Sequence, residues 1–68
     1  MKRGILSQGS DLIRSIGHEG TTLEVEYQDH KVFRYFEVPF STFKAIVRAE
    51  RPGRKLLQVR DKYKFKEV

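Results

Sequence analysis

Thr22-Leu23-Glu24-Val25-Glu26-Tyr27-Gln28-Asp29-His30-Lys31-Val32-Phe33-Arg34-Tyr35-Phe36 is the stretch that decides the fold. Its opening residues alternate, with Leu23, Val25 and Tyr27 on one side and Thr22, Glu24 and Glu26 on the other. A period of two with one apolar side reads as a half-buried strand. Lys31 to Phe36 is β-branched and aromatic and reads as the partner strand of a hairpin. The loop length then decides which side chains meet. A loop of Asp29-His30 pairs Val25 with Arg34 and puts a charge on the apolar side. A loop of Gln28-Asp29-His30 pairs Val25 with Phe33, Leu23 with Tyr35 and Glu24 with Arg34. The second register buries aromatics and matches opposite charges, so it is the expected one. It needs a left-handed residue at His30, a position where glycine is more usual.

Working outward toward the N-terminus, Leu12 to Ile16 reads as another strand. Gly17 and the turn-rich His18-Glu19-Gly20 are expected to end it. Residues 1–9 are expected to be a loose lead-in, and residues 10–68 a single domain. Toward the C-terminus, Pro39 suits the first turn of a helix, where its missing N–H costs nothing. Phe40, Phe43, Ile46 and Val47 follow at helical spacing as the buried stripe. Pro52-Gly53 reads as the end of this helix. Leu56, Leu57 and Val59 suit a short second helix or a turn. Tyr63 to Val68 alternates again, with Tyr63 and Phe65 opposite Lys64 and Lys66, and reads as an extended segment docking on the sheet. The expected architecture is α+β: a three-stranded antiparallel β-meander packed by one helix, with a C-terminal short helix or turn and an extended segment.

The chain has 68 residues, enough for one small domain. It has no cysteine, which excludes disulfides and thiolate metal sites. Five Phe and three Tyr must carry much of the core. The apolar runs are short and interrupted by charge, so no membrane span is expected. Met1-Lys2-Arg3-Gly4-Ile5-Leu6 begins like a signal peptide but lacks an apolar run after it. A cytoplasmic location is the expectation.

Charge is the strongest functional clue. Residues 44–68 hold nine Lys/Arg against three acids, a balance of +6; residues 1–43 hold five against six, or −1. The net +5 is therefore carried by the C-terminal part. Such a concentration favours a polyanion, because each neutralised phosphate releases counterions. The expected contacts are Lys44, Arg48, Arg51, Arg54, Lys55, Arg60, Lys62 and Lys64, with Lys66 beside them. Lys44, Arg48 and Arg51 have the spacing of one helix face. Tyr35 and Tyr63 are the candidate base-stacking residues, although Phe33, Tyr35, Tyr63 and Phe65 also suit the core beneath the helix. His18 and His30 lie in expected turns, so neither a metal site nor a cofactor is expected. Glu24 and Glu26 read as outward strand acids facing Arg34. Ser7, Ser10 and Ser15 lack a nucleophile-elbow setting, and no Gly-rich phosphate loop is present. No enzymatic activity is expected.

An ordered set of short matches resembles the KTSC domain family. They are Ser10 through Ile13-Arg14-Ser15-Ile16-Gly17, Thr22-Leu23-Glu24-Val25-Glu26, the aromatic pair around Arg34, and Val38-Pro39. Gly53-Arg54 and Val59-Arg60 followed by Tyr63 and Phe65 complete it. The family's central Tyr-x-Tyr stands here as Phe33-Arg34-Tyr35, and its hairpin Gly as His30. Its Tyr-Phe-Asn is replaced by Lys55-Leu56-Leu57, and its closing Tyr-Pro-Tyr by Tyr63-Lys64-Phe65. The resemblance implies a small α+β module, found at the C-terminus of some lysyl-tRNA synthetases and alone in small bacterial and phage proteins. RNA binding is implied by that company. The expected function is a non-catalytic nucleic-acid-binding module, RNA preferred over DNA, acting through a basic C-terminal face. The alternative is an accessory factor of bacterial or phage origin whose basic face meets an acidic protein surface.

Overall fold

A computed structural model describes residues 2–5 and 11–68 of the chain. Four strands form one antiparallel sheet in the order β1-β2-β3-β4: β1 Ile13–Glu19, β2 Thr22–Tyr27, β3 Val32–Tyr35 and β4 Phe65–Glu67. Two helices, α1 Phe40–Arg48 and α2 Pro52–Val59, lie between β3 and β4 in the chain. A 3₁₀ turn, Arg60–Lys62, follows α2. The class is α+β. The C-terminal segment completes the sheet as a fourth strand, pairing Tyr35 with Phe65 and Arg34 with Lys66.

The β2–β3 hairpin has the register that pairs Val25 with Phe33, Leu23 with Tyr35 and Glu24 with Arg34. The His30 N–H donates to the Tyr27 carbonyl, and the Tyr27 N–H to the Lys31 carbonyl. His30 itself is left-handed, at φ 70°. Asp29 Oδ1 accepts from the Lys31 N–H and fixes the turn.

β1 runs three residues past the expected end at Ile16. Gly17 is a mid-strand residue, because the N-terminal segment crosses it. A Cβ at Gly17 would lie 2.2 Å from the Lys2 carbonyl oxygen. The two-residue turn is Gly20-Thr21, with Gly20 at φ 61°. His18 consequently sits on the strand and not in a turn. A register shift between Ile13 and Ser15 bulges β1 at Arg14. Ile13 and Ile16, three apart, both face the core for that reason. Residues 2–5 are not loose: Gly4 and Ile16 exchange backbone hydrogen bonds at 2.8 and 3.0 Å. The remainder of the expected lead-in, Met1 and residues 6–9, lies outside the described residues, as does Ser10.

The core is Ile13, Ile16, Leu23, Val25, Tyr27, Tyr35, Val38, Ile46 and Leu56. Leu12, Phe33, Phe43, Val47, Val59 and Tyr63 pack against it, half-buried. Of the expected helix stripe, Ile46 is fully buried and Phe43 and Val47 border the core, but Phe40 is 57% exposed. Phe40 is the first residue of α1, at the sheet rim. Its ring packs on His18 and Phe43, 5.6 and 5.7 Å between centroids. Pro52-Gly53 does not end α1, which stops at Arg48 before an extended Ala49. Pro52 instead opens α2, where a first-turn proline is well placed, and α2 buries Leu56.

Two stability measurements check this packing. Ile46→Ala should cost about 2–5 kcal/mol. Phe40→Ala should cost about 1 kcal/mol or less, with Phe43→Ala between them. The reverse order of urea midpoints would place the wrong face of α1 against the sheet. His30→Gly should leave the fold intact and stabilise it by 0 to about 1 kcal/mol. A clear loss of stability would show that the left-handed backbone is not what limits this turn.

Candidate nucleic-acid interface

The sheet has two unlike sides. Leu23, Val25, Phe33 and Tyr35 face the helices. Glu24, Glu26, Arg34 and Lys66 occupy the alternate positions and face away from them. Glu24 is buried all the same, with only 4% of its surface exposed. Arg34 Nε donates to its Oε1 at 2.7 Å, and Arg3 Nη1 donates to its Oε2. Arg3 reaches this position because Gly17 leaves room for the backbone that carries it. Arg3 Nε also donates to Ser15 Oγ, and Ser15 donates onward to Glu26 Oε1, both at 2.9 Å. His30 Nδ1, Arg3 Nη2 and Arg14 Nε surround Glu26 at 3.5–3.8 Å. Burial pushes the Glu24 carboxyl up, but hydrogen bonds and charge from Arg34 and Arg3 outweigh it and hold the pKa low. Glu26 is also held low, first by the Ser15 hydroxyl. The two glutamates read as outward acids are therefore hubs of a structural network.

These pairs involve Arg3, Arg14, His30 and Arg34 alone. Among the described residues, none of the nine Lys/Arg of 44–68 is ion-paired. The structure divides those nine. Arg48, Arg51 and Arg54 are exposed on the last turn of α1, the connection and the first turn of α2. Arg51 lies beyond α1, so it does not continue the helical face of Lys44 and Arg48. Lys44 is half-buried, its Nζ 5.7 Å from the Phe40 ring centroid. Lys55 is half-buried on α2, and Lys62 is exposed in the 3₁₀ turn. Lys64 and Lys66 are exposed at β4, with Lys66 beside Arg34 on the polar side of the sheet. The basic residues thus occupy both sides of the molecule.

Arg60 is different from the rest. Expected at the surface, it is half-buried over the tyrosines, and its Nη1 donates to Tyr27 Oη at 3.3 Å. Tyr27 and Tyr35 hydrogen-bond to each other through their hydroxyls. The Tyr27 hydroxyl pushes the Arg60 pKa up, while burial pulls it down less strongly. Burial, and next the Tyr27 hydroxyl, push the Tyr35 phenol well above its usual range. Tyr35 is only 3% exposed, so it is a core ring and cannot stack a base. Tyr63 is half-buried, with its hydroxyl 3.3 Å from Thr42 Oγ1. Of the four aromatics weighed for stacking, Phe65 is the exposed one, at 62% on the edge strand. It lies 5.8 Å from both Phe33 and Tyr35, between ring centroids. A groove of about 250 Å³ runs between these rings and Arg60-Asp61, floored by Tyr27. A more open depression shares Tyr27, Phe33 and Arg60 and is also lined by Lys31. The alternation of Tyr63 and Phe65 was the available signal for an aromatic pair, but edge position decides which ring is free.

No helix among the described residues is long and apolar enough to cross a membrane. The described residues bring no three His, Asp or Glu together as a metal-holding group. The KTSC domain family model matches residues 9–65. The crystal structure of a KTSC domain protein from Yersinia pestis superposes with a TM-score of 0.90, at 24% identity, over 98% of this chain and 96% of that one. No curated protein matches the chain.

The Glu24 network makes a pH prediction with a definite sign. A carboxylate whose pKa is lowered by folding stabilises the fold above its unfolded pKa, about 4.3 for Glu. That contribution disappears as pH falls through the folded value. Wild-type stability should be level from about pH 7 to 5 and fall in more acid solution. Glu24→Gln should lose about 1–3 kcal/mol at neutral pH and show a shallower acid decline, with Glu26 supplying what remains. Parallel acid declines in urea titrations of the two proteins would remove Glu24 from this role.

Proposed function

The chain belongs to the KTSC domain family, and we propose that it is a non-catalytic binding module for nucleic acid, with RNA preferred over DNA. One observation carries the reading: nine cations of residues 44–68 stand against three acids, and none is ion-paired among the described residues. The carboxylates that are ion-paired serve the sheet instead. Cations without a carboxylate partner in this number suit a polyanion, whose counterions they displace. Single strands are favoured because the exposed Phe65 offers a ring face, and unstacked bases are what such a ring receives.

A non-catalytic role agrees with the shifted groups. Glu24 and Glu26 are moved down by their partners, and Tyr35 is moved up by burial and Tyr27. None of these shifts moves a group toward neutrality, where a general acid or base works best. A location in the cytoplasm accords with a nucleic-acid partner and forms part of the proposal.

Binding to single-stranded RNA should weaken steeply with salt, with a log–log slope of about −0.7 per phosphate contact, or about −3 for four contacts. Arg48→Glu combined with Arg54→Glu should flatten that slope by about 1.4, two contacts at 0.7 each. Both side chains are exposed, so the melting temperature should hold. Absence of retention on RNA and DNA at low salt would refute the reading and direct the search to an acidic protein surface.

A further inference from the structure

We propose that the groove between β3, β4 and the 3₁₀ turn receives one base of a single-stranded RNA, stacked on Phe65, with the adjoining phosphate on Arg60. This rests on the nucleic-acid reading above and adds to it a place and a chemistry. Three features converge on the groove. Phe65 is 62% exposed on the edge strand and its ring packs beside Phe33 and Tyr35 at 5.8 Å between centroids, which holds it in position. Arg60 is a half-buried guanidinium with no carboxylate in ion-pair contact among the described residues, although Asp61 lines the same groove. It donates to the Tyr27 hydroxyl at 3.3 Å, with the Tyr35 hydroxyl beside that one.

A partly desolvated cation whose partners are phenols rather than carboxylates gains from an anion at its remaining N–H donors. A phosphate supplies that anion, and an aromatic base beside it supplies the ring. The volume fits the assignment. About 250 Å³ lies below the range of about 300–1,000 Å³ that accommodates drug-sized ligands, so the groove suits one ring system. A second depression shares Tyr27, Phe33 and Arg60 with it and is also lined by Lys31, a further cation for a neighbouring phosphate.

The contrast with the exposed cations is physical. Arg48, Arg51 and Arg54 hold phosphate at any sequence and without regard to bases. Phe65 stacking requires an unpaired base. The two contributions can therefore be separated in one experiment.

The probe is a short single-stranded oligoribonucleotide carrying a fluorescent aminopurine, compared with the same strand made abasic at that position. The chain has no tryptophan, so its own emission does not interfere. Stacking should quench the aminopurine, and the abasic strand should bind more weakly. Phe65→Leu keeps an apolar side chain and, at an exposed site, the fold. It should abolish the quench and weaken binding by about 5- to 150-fold, the range for loss of one stacked base. Phe65→Tyr should restore both. Arg60→Gln should flatten the salt slope by about 0.7. If RNA binds but wild type gives no quench, or Phe65→Leu quenches as wild type does, the subsite is wrong and the electrostatic reading survives. If neither RNA nor DNA binds, both fall together.

Discussion

A slip of one residue between β2 and β3 would turn Leu23 and Val25 against Arg34 and put Phe33 and Tyr35 on the water side. The pairing of Val25 with Phe33 prevents it, and everything else is built on that pairing. It aligns four apolar side chains under Ile46 and Leu56. It also sets Glu24 opposite Arg34 on the far side, so one register satisfies the core and the ion pair together. The loop that enforces it holds His30 in a left-handed conformation, the local strain accepted for the global match.

The polar side of this sheet is itself a packed layer. Glu24 could not remain buried and charged beside one arginine alone, since its Oε1 and Oε2 need separate donors. Arg34 serves one oxygen and Arg3 the other. Arg3 arrives from an N-terminal segment that Gly17 admits, so a missing side chain on β1 and a buried carboxylate on β2 belong to one arrangement. Ser15 extends it to Glu26. The cross-strand neighbour of Arg34 on β4 is Lys66, a like charge, tolerable because Glu24 already engages Arg34.

The hairpin register was legible because period-two patterning, cross-strand charge and loop length all pointed one way. Gly17 was not. A glycine at a turn and a glycine under a crossing chain look the same in sequence, and the crossing chain lies twelve or more positions away. The bulge at Arg14 hid the true frame of β1, since Ile13 and Ile16 fit no strict alternation. Pro52-Gly53 carried two opposite meanings, helix stop and helix start, and only the extended Ala49 separates them. Of the candidate site, the basic residues were legible as a composition and not as a surface. Strand alternation sends Lys64 and Lys66 away from the helices, while Arg48 and Arg54 stay with them. Tyr35 and Phe65 have similar chemistry, yet they separate by strand position: β3 is covered on both sides by neighbours, and β4 is an edge.

That edge also explains why an exposed ring is tolerated. An unpaired strand edge invites pairing with other chains unless charge or shortness blocks it. β4 is three residues long, follows Lys64 and itself carries Lys66 and Glu67, so Phe65 can face solvent without recruiting another strand. The lysines that protect the edge are drawn from the Lys/Arg surplus of residues 44–68. A basic edge therefore disfavours pairing with a second copy of itself, and on it Phe65 stands beside the half-buried Arg60. Protection of the edge and exposure of the ring go together here because cations stand where backbone and ring would otherwise be bare.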